Sequence, residues 1–306
     1  MSAAALTQRP TLATVAELFK PITWFPPMWA FACGVVASGQ ALQGQWLLAL
    51  LGVTLAGPLV CATSQAVNDW YDRHVDAINE PQRPIPSGRM PGQWGFYIAV
   101  LWTIVSLAVA TLLGPWGFGA AALGLLLAWA YSAPPIRLKQ NGWWGNAACG
   151  FSYEGIAWAT GAAVMAGGLM PDVRSLVLAA LYSAGAHGIM TLNDFKAIEG
   201  DRQMGVRSLP VQLGVNKAAQ VACWMMAGPQ LAVVALLLLW NTPVHAMGVA
   251  VLLFVQLGMM YRFLAAASQR ALWYSGFGVP FFVAGMMVSA FAVRTLGTLG
   301  TLGSGS

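Results

Sequence analysis

Apolar stretches close to bilayer-spanning length recur along this chain with only short loops between them. Crossing the hydrocarbon core of a membrane takes about 20 mostly apolar residues in a helix. By that rule spans fall near 22–40, 46–67, 94–113, 116–133, 145–166, 172–192, 218–240, 243–262 and 274–294. The breaks carry turn chemistry at Gly114-Pro115, Pro134-Pro135 and Asn241-Thr242-Pro243. The predicted fold class is therefore all-α, a polytopic membrane protein of about nine transmembrane helices. Composition agrees with this. Only 8% of the 306 residues are charged and 58% are hydrophobic, where a soluble domain carries roughly 25% charged residues. So few charges cannot coat a globule.

The net charge of +5 does not point to nucleic acid, because the basic residues are spread over short loops instead of forming one face or arm. Their distribution speaks of topology. With the N-terminus inside, every Lys and Arg except Arg174 and Arg294 falls on the inner side, as the positive-inside rule requires of a chain with its C-terminus outside. The N-terminus reads as no signal peptide, since its first apolar run contains Pro26 and Pro27. Residues 1–21 are expected as a cytoplasmic N-terminal segment, 22–294 as one transmembrane domain, and 295–306 as a flexible tail or expression scar. Cys33, Cys61, Cys149 and Cys223 show no C-x-x-C spacing and read as small core- or lipid-facing residues.

The acidic residues are the least evenly placed. Of ten, four lie at Asp69, Asp72, Asp76 and Glu80, and three at Asp194, Glu199 and Asp201. Both groups follow an apolar span on the inner side, where carboxylates beside lipid are costly without partners. The first group sits in Asn68-Asp69-Trp70-Tyr71-Asp72-Arg73-His74-Val75-Asp76. The second sits in Asn193-Asp194-Phe195-Lys196-Ala197-Ile198-Glu199-Gly200-Asp201. Each reads N-D-x₆-D, an internal repeat with one acidic centre per half.

On a helix, Asp69, Asp72 and Asp76 at i, i+3 and i+7 would share a face. Such a row repels itself unless cations neutralise it. Mg²⁺ suits the task because it binds one or two carboxylates together with substrate phosphates. Arg83, Arg89, Lys139, Lys196, Arg202 and Arg207 could take the remaining charge of a diphosphate. No P-loop, H-E-x-x-H or G-x-S-x-G motif offers a competing site.

Asn68–Gly88 (NDWYDRHVDAINEPQRPIPSG), Asn193–Gly214 (NDFKAIEGDRQMGVRSLPVQLG), Tyr131–Asn146 (YSAPPIRLKQNGWWGN) and Ser152-Tyr153-Glu154-Gly155 resemble the signatures of the UbiA superfamily of membrane prenyltransferases. Within it they are similar to the chlorophyll and bacteriochlorophyll synthases, and DWYDRHVDAINEP leans towards the bacteriochlorophyll branch. The resemblance implies a nine-helix bundle with a lateral opening to lipid and an active site at its cytoplasmic end, in a bacterial inner or intracytoplasmic photosynthetic membrane. It implies Mg²⁺ as cofactor, geranylgeranyl or phytyl diphosphate as donor and a (bacterio)chlorophyllide as acceptor, and leaves open protein partners in pigment synthesis. Asp69, Asp72 and Asp76 would hold one metal; Asp194 and Asp201, with Glu199 as the weaker candidate, would hold another. Ala197 stands where several quinone-type relatives carry an acid, which marks the second site as the weaker.

The allylic C–O bond would break with carbocation character, and the acceptor's propionate, already a carboxylate, would attack without a strong base. Asn68 and Asn193 would orient acids or phosphate, or else cap helix ends. Arg137 and Lys139 are diphosphate candidates or ordinary positive-inside charge. Tyr131 and Tyr153 could stabilise the cation through their rings or belong to an interfacial belt. Glu154 lies within a span, where an acid is expensive, and could position the acceptor. His187 could ligate the pigment's metal or pack between helices. The rival readings are chlorophyll synthesis, prenylation of a quinone precursor, and a non-enzymatic pigment carrier.

Overall fold

The structure, a computed structural model, describes residues 9–303, and among these the backbone is helical in almost every segment. A short helix α1 (Leu12–Leu18) precedes α2 (Phe25–Ala37). Helix α3 (Trp46–Thr54) runs through a π-helical stretch, Leu55–Cys61, into α4 (Ala62–Asn79). Then come α5 (Trp94–Ala110) and α6 (Gly114–Ser132), with Gly114 turning the chain at φ 72°. Helix α7 (Gly142–Gly150) passes through a second π-helical stretch, Phe151–Ile156, into α8 (Ala157–Met165). The rest comprises α9 (Val173–Asp194), α10 (Ile198–Gln203), α11 (Leu209–Leu213), α12 (Val215–Leu239), α13 (Pro243–Leu264), α14 (Ala267–Phe277) and α15 (Val279–Gly303).

Among the described residues, six helical stretches are long and apolar enough to cross a membrane. One of them, Trp94–Ser132, contains two predicted spans folded back on each other at Gly114. With the shorter α2 and the segment 142–165, every predicted span falls on helix. The ends differ from expectation. The last span divides at Gly278 into α14 and α15, and α15 continues to Gly303, so the backbone of most of the segment expected as a tail is helical; residues 304–306 lie outside the described residues.

Small residues let the helices approach closely, as expected where lipid supplies no hydrophobic drive between them. A Cβ on Gly34 of α2 would collide with the Trp158 carbonyl of α8, and one on Gly161 with the Phe31 carbonyl. The second half adds a buried polar chain: Gln230 Nε2 donates to Gln256 Oε1 (2.8 Å), and Gln256 Nε2 to the Tyr274 hydroxyl (3.0 Å). Beside these packed contacts, α4, α7, α9 and α10 are held around a cavity.

Candidate active site

The cavity has a volume of about 670 Å³ and takes side chains from both halves of the chain. Asn68, Asp72 and Asp76 line it from α4. Their four-residue spacing, and not the spacing 69, 72, 76, defines the cavity face of that helix. Asp69 is turned away from it, 1% exposed, with Oδ1 bonded to Lys20 Nζ (2.5 Å) and Arg83 (3.3 Å). Arg83 also donates to Asp76 Oδ2 (2.8 Å) and pairs with Glu80. Asp72 accepts from Asn68 Nδ2 (2.9 Å) and pairs with Arg137 (3.4 Å) and Lys139. Lys20 and Arg137 both adopt left-handed backbone at φ 46° and 41°. Such conformations cost non-glycine residues about 1–3 kcal/mol and gather at functional sites.

The second motif is not one helix. Helix α9 ends at Asp194 and the chain turns, with Phe195 buried against Phe263 at 5.9 Å between ring centroids, before α10 begins at Ile198. Asp194 Oδ2 accepts from Asn146 Nδ2 (3.2 Å), which also reaches Thr191 Oγ1 (3.2 Å). Asp201 is buried on α10, and both aspartates line the cavity. Among the described residues neither has an ion pair within 4 Å. Gly200 brings the motifs together, because a Cβ there would strike the Asn79 amide on α4. Lys196 crosses between them to Glu80 (3.2 Å). The loop bearing Lys139 is tied to the second motif's extension by Arg207 N donating to Gln140 O (2.9 Å) and Gly142 N donating to Arg207 O (2.8 Å).

Of the predicted residues, Asn68, Asp72, Asp76, Arg83, Tyr131, Lys139, Tyr153, Glu154, Asn193, Asp194, Lys196 and Asp201 line this cavity. Others do not. Arg89 lies on the surface in a two-pronged pair with Glu17. Glu199 and Arg202 are exposed and pair with each other at 3.7 Å. Arg207 contributes its backbone to the loop tie while its side chain is exposed. His187 is buried with its ring 5.5 Å from that of Trp143 and does not line the cavity. Lys20 and Asn146 were not predicted. Lys20 reads in sequence as ordinary inner-side charge, and its only local signal is the Pro21 that follows. Asn146 ends the quoted NGWWGN segment but carries no charge to draw the eye.

Farther from the acids the wall changes character. The Tyr153 hydroxyl faces Cys61 Sγ (3.5 Å), Ser64 Oγ (3.2 Å) and Gln65 Nε2 (3.1 Å). Both π-helical stretches contribute here, Cys61 from one and Tyr153 and Glu154 from the other, and π-turns are frequent at functional sites. Phe31, Leu55, Gly124, Leu127, Ile156 and Val283 make the remaining wall apolar.

Electrostatically the polar end is divided. Burial pulls the Arg83 guanidinium down, but Asp69, Asp76 and Glu80 outweigh it and raise its basicity. Burial lowers the Lys139 ammonium in spite of Asp72 beside it, and burial pushes the Asp201 carboxyl up. Among the described residues no three acidic, His or Cys side chains converge into a metal cage. Mg²⁺ needs none, since it shares one or two carboxylates with phosphate oxygens. Cavity-lining oxygen donors from two motifs, those of Asp194 and Asp201 free of cations, fit that requirement.

A profile of the UbiA prenyltransferase family matches residues 23–285. The bacteriochlorophyll synthase 33 kDa chain of Cereibacter sphaeroides is 56% identical over 290 residues, covering 95% of this chain and 96% of the relative. The chloroplastic chlorophyll synthase of Oryza sativa is 38% identical over 291 residues, covering 90% and 75%. Among solved structures, a UbiA homologue from Archaeoglobus fulgidus bound to GPP and Mg²⁺ is similar with a TM-score of 0.61 at 18% identity, covering 92% of this chain and 99% of that one.

Proposed function

The chain belongs to the UbiA prenyltransferase family, and we propose that it transfers a geranylgeranyl or phytyl group from its diphosphate to the propionate carboxylate of bacteriochlorophyllide a, making bacteriochlorophyll. The observation that carries this reading is the near-full-length similarity to a bacteriochlorophyll synthase, well above that to a plant chlorophyll synthase. The geometry supports it: one cavity joins an end rich in carboxylates and cations to an apolar remainder. A prenyl diphosphate has the same two-part chemistry.

Asp72, Asp76, Asp194 and Asp201 would hold Mg²⁺, which when bound supplies positive charge to the departing diphosphate. Lys20, Arg83, Lys139 and Lys196 add charge-assisted hydrogen bonds to the same oxygens. Their positions are fixed in advance by Asp69, Asp72 and Glu80, and preorganised charge of this kind is where electrostatics contributes most to rate. Asp69 serves that arrangement by holding Lys20 and Arg83. The apolar wall keeps water from the allylic carbon as its C–O bond breaks. Tyr153, on the cavity wall, would stabilise the developing cation through its ring. The attacking propionate is already ionised near neutrality, so the site needs no general base. The polar end of the cavity is assigned to the cytoplasmic face, with the N-terminus on the same side.

The test supplies membranes containing this chain with geranylgeranyl diphosphate, Mg²⁺, and either bacteriochlorophyllide a or chlorophyllide a. Chromatography is expected to show esterified bacteriochlorophyll far in excess of esterified chlorophyll. Ester from chlorophyllide alone would move the chain to the other branch, and no ester from folded protein would overturn the reading.

A further inference from the structure

We infer that Glu154 is a specificity-determining residue for the acceptor, hydrogen-bonding an oxygen on the edge of the pigment macrocycle; the inference rests on the acceptor assigned above. Glu154 lies in the π-helical stretch Phe151–Ile156, lines the cavity, and is 4% exposed. Among the described residues no cation pairs with it within 4 Å, and its Oε2 has no hydrogen-bond partner. Every aspartate on the cavity wall has a use at the polar end, as a partner for cations or as an oxygen donor to a metal. Glu154 has neither. Counting from Asn146, which bonds Asp194, it is eight residues farther along the same helix, roughly 12 Å at an α-helical rise.

A buried carboxyl without a partner is costly in an apolar medium, so the position makes sense only if something that enters the cavity satisfies it. Beyond its diphosphate the donor is a hydrocarbon and offers nothing to bond. The acceptor is a tetrapyrrole with carbonyl oxygens on its periphery. With its propionate at the diphosphate, the body of the ring extends away from the aspartates towards the depth of Glu154. There the acid donates its O–H to a peripheral carbonyl, and the same group repels the prenyl tail from that wall. The role depends on hydrogen bonding and not on charge.

The full-length protein is purified in nanodiscs as wild type, Glu154→Gln and Glu154→Leu. Bacteriochlorophyllide a binding is followed by fluorescence without any prenyl diphosphate, and KM is measured for each substrate. Glu154→Leu is expected to weaken pigment binding and raise the acceptor KM about tenfold, the worth of one buried hydrogen bond. The KM for geranylgeranyl diphosphate should stay within about twofold, and Glu154→Gln, which keeps a donor, should bind pigment almost as wild type does. Leucine removes an unpaired buried polar group, so the fold is kept, and thermal unfolding checks this. A pigment with its peripheral carbonyl reduced to a methylene, which offers no acceptor, should bind both proteins equally. The inference is overturned if Glu154→Leu binds pigment normally, if the diphosphate KM rises instead, or if the reduced pigment still distinguishes the two proteins. Failure of the acceptor assignment itself would look different, with wild-type protein binding no bacteriochlorophyllide at all.

Discussion

The two N-D-x₆-D motifs are spelled alike and built differently. The first lies on a single helix, its acids held by Lys20, Arg83, Arg137 and Lys139. The second is broken after Asp194; Asn146 bonds Asp194, and Asp201 is buried with no ion pair among the described residues. The lesson is a division of labour. The first motif organises the cations that meet a diphosphate and would share Asp72 and Asp76 between them and a metal, while the second keeps cation-free carboxylate oxygens available to a metal. The break is what lets α10 turn back so that Gly200 meets Asn79 and closes the motifs on each other.

The sharpest way to break this comparison is to remove charge from one motif at a time. Asp72→Asn and Asp201→Asn should each lower kcat by about 100-fold or more, the scale seen when preorganised charge stabilisation is lost. Asp201→Asn should also raise the Mg²⁺ concentration needed for half-maximal turnover, whereas Asp69→Asn should leave that midpoint unchanged; equal midpoints for all three would end the distinction. Next in size is Gly200→Ala. Its Cβ would push α10 off Asn79, and kcat/KM should fall roughly tenfold or more, as small displacements of positioned groups do. Trimming the obstacle in Gly200→Ala/Asn79→Ala should recover part of that loss.

A smaller effect comes from Lys139→Met, expected to raise the KM for prenyl diphosphate about tenfold, one charge-assisted bond's worth. Burial sets its pH dependence. The ammonium is the form that binds phosphate, and its value is lowered from the ordinary 10.5. Diphosphate affinity should therefore be full near neutrality and fall as pH rises through that lowered value, earlier than a free lysine would allow. Lys139→Arg should abolish the alkaline fall in a KM–pH profile. The smallest effect concerns Arg89, in the first motif's extension but away from the cavity. Arg89→Ala should leave turnover within about twofold. Its guanidinium holds Glu17 below the ordinary carboxylate range. The pair's stabilisation is thus present at neutral pH and is lost as pH falls through the lowered value. It is also slight, because exposed pairs are screened by water and salt. A thermal-unfolding series in pH and salt checks it.

The membrane spans and the acidic centres are legible in the sequence because both depend on local patterns, apolar run length and charge placement. What is not legible is long-range. The sequence predicts Asp69, Asp72 and Asp76 on one face by regular α-helical spacing, but the cavity meets Asn68, Asp72 and Asp76. The repeat suggests two equivalent helices, yet Phe195 prefers the packing against Phe263 to continuing the helix. Lys20 is separated from Asp69 by two whole spans, and no local rule pairs them. Arg89, Arg202 and Arg207 carry the right charge in the right loops, and only the fold shows that their side chains lie elsewhere.

The π-helical stretches at Leu55–Cys61 and Phe151–Ile156 impose a constraint on how this chain can change. A π-turn takes up more residues than the α-turn it replaces, so each stretch acts as a counter that sets the angular phase of everything after it. Restoring α geometry over 55–61 with the residue count unchanged would wind each residue by about 100°, more than a π-turn does, and so rotate the rest of α4, carrying Asn68, Asp72 and Asp76 off the cavity wall together. Side chains along these stretches that do not line the cavity are free to drift in identity while the π-turns are kept. Loss of the π-turns without the loss of a residue is equivalent to losing the whole acidic face in a single step.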